Sequence, residues 1–426
     1  MAEYREKLYI QVTQALTNRP WPEKLTDRLM AACMANDELR TQLLRFIDVF
    51  PALKTNRSIT RHFLSYVSPF RRFFPTPIKQ ALVLAYLPWA HPLVSRLIKK
   101  FVRLFATRFI VDSADWEKMS QVGQSLQSRG YEITWDLLGE EVLTEAEAEI
   151  FKNRYLELIR RLGAAPVPEG FSRNISVKLS SLVPKTAWDA INWEECANRV
   201  TLLFAELLRA GMENQVTVNV DMEQYAVRDL TLEIFRRTLE RKEFSKIKEV
   251  GIVVQSYLKD AEKSLDELLD WIRASKVPVT IRLVKGAYWD YEVITAQEQR
   301  WPIPVIAKKL KTDWQFRKLA EKILKAQKSG IRVMFACASH NLDDIGYTMS
   351  LLDNLGLDRT GNEFQTLYGM GDQIREAVLE NGHLIRIYVP CGEPIAGMAY
   401  LVRRLLENTS QQSFLGTNFL RKGGAH

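Results

Sequence analysis

The sequence predicts an α/β fold, namely a (β/α)₈ barrel preceded by an all-helical region. Residues 1–112 have apolar residues at helical spacing and no convincing strand, and none appears before Tyr131. After that point short β-rich runs recur eight times, with helical stretches between them. A doubly wound sheet is the second interpretation, but no strand is followed by the G-x-G-x-x-G motif of a dinucleotide site.

The helical region and the barrel elements follow from local patterns along the chain. Helical periodicity over 25–50 ends at Pro51, which cannot continue a helix. The predicted strands are 131–137, 173–180, 215–222, 250–256, 278–285, 331–338, 363–368 and 384–390. The helical pattern between them is clearest over 193–211, 228–242 and 261–275.

The net charge of +8 is concentrated in one segment. Residues 49–111 contain eleven Lys or Arg and no Asp or Glu, so the rest of the chain is slightly acidic. The longest apolar run there, 81–90, contains Pro88 and is too short to span a bilayer. The segment can be a basic helical hairpin packed on its own protein, a membrane-surface element or a nucleic-acid patch. No nucleic-acid motif accompanies the charge, and no nucleic-acid partner is expected.

The four cysteines and the N-terminus indicate the compartment. Cys33, Cys196, Cys337 and Cys391 form no C-x-x-C pair, and no Cys/His cluster has zinc spacing. Buried, reduced thiols are therefore expected, with no metal site. The first residues lack the apolar core of a signal peptide, so we predict a cytoplasmic protein.

Nearly every predicted strand ends in polar, charged or aromatic residues or is directly followed by them. In a barrel the carboxyl ends of the strands meet at the face where active sites form. These residues are Asp136, Glu140, Lys178, Asp221, Gln255, Arg282, Lys285, Tyr288, Trp289, Ser339, His340, Gln365, Tyr368 and Tyr388. Each has an ordinary structural explanation, such as Lys178 extending to the rim or Asp221 capping a helix. Their repetition at one end favours a ligand site.

A helix near the end of the chain adds further candidates. Tyr400, Arg403, Arg404 and Glu407 lie at i, i+3, i+4 and i+7 and so share one face, although a solvated arginine pair bridged to Glu407 has the same spacing. Together with Lys178 and Arg282, the two arginines indicate an anionic ligand, either a carboxylate or a phosphate. Tyr288, Trp289, Tyr388 and Tyr400 indicate a flat ring.

Two rival functions remain at this stage. A barrel lyase or aldolase would use Lys178 or Lys285 to form a Schiff base with a carbonyl substrate. A binding protein would instead act through the basic segment 49–111, but this leaves the charged barrel mouth unexplained.

Eight motifs in order resemble the proline dehydrogenase family, most closely the proline dehydrogenase part of proline utilization A. They are ISVKLSSL, VNVDMEQY, VVQSYLKDA, IRLVKGAYWDYE, ASHN, EFQTLYGMG, RIYVPCG and AYLVRRLLEN, and the likeness covers about residues 110–408. It implies a distorted TIM-like barrel that binds FAD without a Rossmann fold. It also implies oxidation of L-proline to Δ1-pyrroline-5-carboxylate by hydride transfer to FAD, with electrons passed to a membrane quinone. The implied domains are a helical arm and linker region (1–112), the barrel (113–408) and a C-terminal tail (409–426).

The resemblance also implies roles for matching residues. The implied catalytic residues are Lys178, Asp221, Tyr288, Arg403 and Arg404. The implied substrate-binding residues are Lys178, Leu283, Tyr288, Tyr388, Tyr400, Arg403, Arg404 and Glu140, with the three cations on the proline carboxylate and Glu140 as a gate over it. The implied flavin-binding residues are Gln255, Arg282, Val284, Lys285, Gly286, Trp289, Ser339, His340 and Glu407.

The chain departs from its relatives in one motif and in its length. It reads PVIAKK where relatives commonly read PVFTRK, so Ala307 lacks a threonine hydroxyl that contacts the flavin. Bifunctional relatives continue into an aldehyde dehydrogenase, so this chain is expected to be either a monofunctional enzyme or a fragment of a longer one. An aldehyde dehydrogenase partner for the next reaction is expected. A quinone-reducing enzyme must reach the membrane, which favours peripheral contact through 49–111 at its inner face.

Overall fold

The computed structural model describes residues 2–17, 37–73, 76–139, 142–188, 192–394 and 397. The strands are, in chain order, β1 (Val111–Asp112), β2 (Glu132–Leu137), β3 (Arg173–Val177), β4 (Val216–Val220), β5 (Val250–Gln255), β6 (Val279–Val284), β7 (Val333–Ala338), β8 (Asn362–Leu367) and β9 (Leu384–Gly392). Strands β2 to β9 neighbour one another in sequence order, and β9 neighbours both β8 and β2. The sheet therefore closes into the predicted TIM-like (β/α)₈ barrel.

The prediction that no strand precedes Tyr131 is wrong. Val111 and Asp112 form the short parallel strand β1, which pairs with Cys391 and Gly392. Two residues are too few to show a periodic pattern, and this strand depends on its distant partner. The predicted strand over 173–180 also ends early, at Val177, because a tight turn begins at Leu179.

The barrel strands are buried along almost their whole length, since helices cover their outer face. The helices that follow the strands are Glu145–Ala164, Lys185–Trp188, Trp193–Asn214, Tyr225–Leu239, Ala261–Ser275, Trp289–Glu298, Lys309–Lys328, Leu342–Leu355 and Asp372–Glu380. Local chemistry marks their ends. Thr144 and Glu147 form a capping box at the first of them, and Asn341 caps the helix that begins at Leu342.

The described residues divide into two compact units, one within 1–12 and 117–390 and one within 13–116 and 391–397. In the first unit, the start of helix Ala2–Thr17 packs on the barrel helices. Leu8 and Val12 are fully buried. Arg5 pairs with Asp343 at 2.6 Å, and Gln11 donates to Glu380 at 2.8 Å. The first helix of the chain thus belongs with the last helices of the barrel.

The second unit is helical apart from β1 and the end of β9, and its described elements before Val111 are all helices, as predicted for the N-terminal region. Its described helices are Asp37–Val49, Asn56–Val67, Thr76–Leu84 and His91–Thr107, followed by the first residue of Trp116–Gln127. Leu64, Val67, Leu82 and Ala85 form a small apolar core between them. Within the described part of the chain, none of the helices has both the length and the apolar character needed to cross a membrane.

Candidate active site

Four charged side chains alternate in sign at the carboxyl ends of β2, β3, β4 and β6. Asp136 lies near the end of β2, Lys178 directly follows β3, Asp221 directly follows β4, and Arg282 lies in β6. Lys178 Nζ lies 2.5 Å from Asp136 Oδ1 and 3.5 Å from Asp221 Oδ2. Arg282 Nη1 lies 2.6 Å from Asp221 Oδ1. The result is a continuous buried chain of two carboxylates and two cations.

Tyr388 of β9 completes this cluster from across the barrel. Its hydroxyl donates to Asp221 Oδ2 at 2.6 Å, and its ring faces the Arg282 guanidinium, whose Cζ lies 5.1 Å from the ring centroid. Asp221 therefore accepts from three side chains contributed by three strands.

The charge state of Lys178 follows from these contacts. Burial alone would lower its pKa, but attraction by Asp136 and Asp221 outweighs burial and holds the pKa of Lys178 well above its usual value. The amine is therefore an ammonium at neutral and moderately alkaline pH. A charged amine suits the binding of an anion and is a poor nucleophile.

Tyr155 supports the main chain at Lys178. It lies in helix Glu145–Ala164, is fully buried, and accepts a hydrogen bond from the Lys178 backbone N–H at 3.3 Å. Burial raises the pKa of Tyr155 to about 12, so its hydroxyl stays protonated. The Ser181 hydroxyl also donates to the Lys178 carbonyl at 2.6 Å. The turn that carries Lys178 is therefore held on both sides.

Arg282 in the cluster and Gln255 beside it have buried polar atoms that meet no hydrogen-bond partner among the described residues. They are Nε and Nη2 of Arg282 and Oε1 of Gln255. The remaining polar groups of both residues are engaged, because Arg282 Nη1 also donates to Ser176 at 3.0 Å and Gln255 Nε2 donates to the Glu223 carbonyl at 2.9 Å. Such buried orphan groups are costly in a folded protein and indicate a ligand that would satisfy them.

Lys285 and Ser339 belong to a second charged cluster. The Lys285 ammonium contacts Asp313 and lies 2.8 Å from Asp344 Oδ2. Ser339 Oγ donates to the same Asp344 oxygen at 3.2 Å, and Arg317 contacts its other oxygen at 3.1 Å. Asp344 is completely buried, so this network fixes the ends of β6 and β7 relative to each other.

The segment after β6 comes very close to the turn after β5. Gly286 has φ of +136°, a region that favours glycine, and a Cβ there would overlap the Tyr257 ring. The Tyr257 N–H donates to the Lys285 carbonyl at 2.7 Å. Trp289 then anchors the next helix by donating its indole N–H to the Ile306 carbonyl at 3.0 Å.

His340, after β7, is a neutral histidine of fixed tautomer. Burial, and then the nearby Arg375, lower the pKa of His340 to about 4. Its Nε2 accepts from the Leu367 N–H at 3.2 Å, so the ring proton is on Nδ1. A neutral imidazole with one free donor can bind a ligand oxygen or nitrogen without adding charge.

Comparisons with known proteins agree with this architecture. The family model for proline dehydrogenase matches residues 119–417, and the model for the proline utilization A N-terminal domain matches residues 2–109. The bifunctional protein PutA of Klebsiella aerogenes is 30% identical over 336 residues, which cover 76% of this chain and 25% of that protein. Proline dehydrogenase 2 of Bacillus subtilis is 28% identical over 334 residues, which cover 77% of this chain and 96% of that protein. The crystal structure of proline utilization A from Bdellovibrio bacteriovorus, inactivated by N-propargylglycine, has a TM-score of 0.84 and 31% identity and covers 98% of this chain and 42% of its own.

The chain belongs to the proline dehydrogenase family. It spans about a quarter of the length of the bifunctional curated relatives that it matches.

The structure brings only some of the residues predicted from the proline dehydrogenase resemblance into direct contact. Lys178, Asp221, Arg282 and Tyr388 form one cluster, and Gln255 lies beside it at the end of β5. Leu283 is fully buried, while Val284, Gly286, Tyr288 and Trp289 are partly exposed along the segment that leaves β6. The predicted residues Glu140, Tyr400, Arg403, Arg404 and Glu407 lie outside the described residues.

No role could be assigned from the sequence to two residues that contact Lys178, namely Asp136 and Tyr155. Asp136 was visible as a polar residue at a strand end, but its contact with Lys178 joins positions 42 residues apart. Tyr155 gave no signal, because an aromatic residue on a helix that flanks a barrel is ordinarily part of the core.

Proposed function

We propose that this protein is an FAD-dependent proline dehydrogenase that oxidises L-proline to Δ1-pyrroline-5-carboxylate and passes the electrons to a membrane quinone. The observation that carries the proposal is the buried cluster of Asp136, Lys178, Asp221, Arg282 and Tyr388 at the barrel mouth, in a chain of this family. Membership of the family supports this reaction, and the cluster supplies both signs of charge for a small zwitterion.

The residues present fit a flavin. Its ring system offers several hydrogen-bond acceptors and one N–H donor, and the orphan groups near the cluster are guanidinium donors on Arg282 and an amide acceptor on Gln255. Neutral His340 adds a further donor. Lys285 and Ser339 are engaged with Asp344, so we propose that they act on the cofactor mainly by fixing the ends of their strands.

For the substrate, we propose that Lys178 binds the proline carboxylate together with Arg403 and Arg404. A fixed ammonium at one end of the ligand decides which ring carbon faces the cofactor. Tyr288, Tyr388, Leu283 and Tyr400 would enclose the ring, with Glu140 over it and Glu407 toward the flavin. FAD, when bound, supplies the oxidising chemistry, while the protein binds, orients and excludes water. Asp221 supports this arrangement because it joins Lys178, Arg282 and Tyr388.

The structure disfavours the Schiff-base alternative. A lysine that attacks a carbonyl must lose its proton, and the two carboxylates on Lys178 oppose that loss. Lys285 is similarly paired with Asp313 and Asp344. Borohydride should therefore fail to trap a substrate adduct on either lysine.

Peripheral membrane contact is the further part of the proposal. Helix His91–Thr107 presents Leu93, Leu97 and Leu104 at 59%, 59% and 68% exposure, and Trp89 just before it is 72% exposed. Exposed cations flank this stripe, namely Arg96, Lys99, Lys100 and Arg103. Apolar residues between cations are typical of a helix that lies on an anionic lipid surface, where a quinone is accessible.

We also propose the domain plan and the setting. Residues 1–112 would form the helical arm and linker region, 113–408 the catalytic barrel and 409–426 a tail. The matches of the two family models, over 2–109 and 119–417, support a division near residue 112. The protein would act in the cytoplasm, at the inner face of the membrane. An aldehyde dehydrogenase, fused or separate, would consume the product.

An absorbance spectrum tests the core of this proposal. The purified protein, reconstituted with FAD, should show flavin bands, and adding L-proline without an acceptor should bleach them. A quinone analogue should restore them. Lys178→Met should still bind flavin but require much more proline for bleaching. Protein that remains colourless with excess FAD, or flavin that proline leaves unchanged, would refute the function.

A further inference from the structure

The two carboxylates on Lys178 are not equivalent. Asp136 Oδ1 is 2.5 Å from the ammonium, and its carboxylate side chain is 0% exposed. Asp221 is 3.5 Å away and is shared with Arg282 and Tyr388, each at 2.6 Å. Asp136 is therefore the main anionic partner of Lys178. Because the Asp136 side chain is fully buried and the Lys178 side chain is 21% exposed, Asp136 contacts the ammonium on its buried side.

Lys178 is also held at its main chain. Tyr155 accepts from its N–H, and Ser181 donates to its carbonyl. With the backbone and the deep side of the ammonium both fixed, little rotamer freedom remains. An ammonium has three N–H donors, and the two carboxylates engage two of them. The third donor is left for a ligand on the exposed side.

We propose that Asp136 is a positioning residue for substrate recognition. It holds the Lys178 ammonium from the buried side, so that the remaining N–H donor of the ammonium points toward the carboxylate of the substrate. The inference rests on the proposed function and assigns to Asp136 a role that acts through Lys178. Stability alone does not explain the pair, because an apolar pair of similar volume would be at least as stable in a buried site.

Several titratable groups face Lys178 and bear on any pH test. They are Asp136 from β2, Asp221 after β4, Tyr155 from the helix Glu145–Ala164, and Glu223. Burial raises the pKa of both Tyr155 and Glu223. Asp136 is the largest contributor to the charge that keeps Lys178 protonated, so its removal should move the titration of Lys178 toward neutral pH.

The first test is a stability cycle on the FAD-loaded protein, and it needs no activity. Asp136→Asn alone should lower the Tm, because the ammonium loses its closest anion. Lys178→Met should also lower the Tm, because buried Asp136 then loses the cation that lies 2.5 Å away, whereas Asp221 keeps Arg282. Adding Asp136→Asn to Lys178→Met should raise the Tm above that of Lys178→Met. If Asp136→Asn lowers the Tm equally in both backgrounds, the two residues are not coupled and the proposal fails.

The second test separates positioning from stability. The probe is cyclopentanecarboxylate, which keeps the ring and carboxylate of proline but lacks the titrating amine. Its inhibition constant against wild type should rise only at strongly alkaline pH. In Asp136→Asn this rise should begin about one pH unit lower or more, which is roughly a tenfold weaker inhibition on the shifted limb. In the Lys178→Met background, Asp136→Asn should have no further effect on inhibition.

Glu132→Gln is the matched control. Glu132 is a buried carboxylate on the same strand as Asp136, but it pairs with Arg386 and Ser172 at the other end of β2. This variant should lose stability without moving the pH profile of inhibition. An unshifted profile in Asp136→Asn, with wild type active, would overturn the positioning role alone. A wild-type protein that neither binds flavin nor oxidises proline would instead overturn the proposed function, and the stability cycle, then run without FAD, would still report on the pair.

Discussion

At the scale of single residues, the site depends on contacts that join distant parts of the chain. Polar residues at strand ends can be predicted from the sequence because strand periodicity places them. The pairing of Asp136 with Lys178, and the sharing of Asp221 by Lys178, Arg282 and Tyr388, cannot be predicted in this way. Each depends on the closure and register of the barrel, which bring β2, β3, β4, β6 and β9 to one mouth.

Gly286 should be intolerant of any side chain. In Gly286→Ala the new Cβ would overlap the Tyr257 ring at a φ of +136°, so we expect a loss of about 3 kcal/mol or more in unfolding free energy and weaker FAD binding. Gly330→Ala is the control. Gly330 also has a positive φ, of +92°, but no atom lies within 4 Å of the position that a Cβ would take. This substitution should therefore cost about 1 kcal/mol in unfolding free energy. Chemical denaturation and flavin fluorescence measure both. Equal losses in the two variants would show that the close approach to Tyr257 is unimportant.

Two histidines with lowered pKa values should make the protein acid-sensitive. Burial lowers the pKa of both His340 and His383 from 6.5 to about 4, so the unfolded chain binds protons in this window and the folded chain does not. Their neutral forms are stabilising above pH 6.5, and stability should fall as the pH drops from 6.5 toward 4. Each histidine should contribute on the order of 3 kcal/mol to this loss.

His383→Leu isolates one part of that effect. His383 is 1% exposed and packs edge-on against Phe364, so an apolar side chain suits the site. The Tm of this variant should decline less than that of wild type between pH 6.5 and 4. His62→Leu, at an exposed position, should follow the wild-type curve. A His383→Leu curve parallel to wild type would contradict the assignment.

At the scale of elements, the bounds of a helix could be predicted accurately where its apolar residues recur with strong helical periodicity. The helix over 261–275 was predicted with the bounds that the structure has, because its apolar face is unbroken and it begins directly after a turn. The bounds of the predicted strands differ by a few residues from those in the structure, because tertiary contacts determine where a strand begins and ends. At β3 the chain leaves the sheet before Lys178, and at β7 the strand begins at Val333 instead of 331.

The apolar stripe on helix His91–Thr107 leads to a prediction about lipid binding. Replacing Leu93, Leu97 and Leu104 together by Gln should reduce co-sedimentation with vesicles of phosphatidylcholine and phosphatidylglycerol severalfold, because the helix loses the surface that would enter the headgroup region. Binding by wild type should weaken with salt, since the flanking cations contribute.

A matched variant carries three Gln substitutions on barrel helices. Ile150, Leu202 and Leu310 are exposed to 59%, 58% and 80%, and their replacement should leave lipid binding unchanged. If both triple variants bind vesicles as wild type does, the helix is not a membrane contact.

At the scale of the whole molecule, helix Ala2–Thr17 joins the start of the chain to the end of the barrel. Gly346 permits the approach, because a Cβ there would lie 3.3 Å from the Arg5 backbone nitrogen. Apolar residues at helical spacing predicted a helical region here, but the contact between this helix and the barrel could not be predicted. That contact joins Arg5 to Asp343 and Gln11 to Glu380, far apart in the sequence.

Leu8→Ala tests the importance of this contact. Leu8 is fully buried, so we expect a loss of about 2–5 kcal/mol in the unfolding free energy of the barrel. Ile10→Ala, on the same helix at 51% exposure, should cost far less. Thermal unfolding followed by circular dichroism measures both. A Leu8→Ala protein as stable as Ile10→Ala would mean that the helix is only loosely attached.

The same contact has a consequence for folding during synthesis. Tyr4 and its partner Asp353 are separated by 349 positions, and Gln11 and Glu380 by 369. At roughly 5–20 residues per second, a ribosome needs on the order of 20–70 s to supply the partners of this first helix. During that time the apolar face that carries Leu8 and Val12 stays exposed to solvent, where chaperones and neighbouring nascent chains can bind it. This helix thus leaves the ribosome long before its partners do and reaches its native place late.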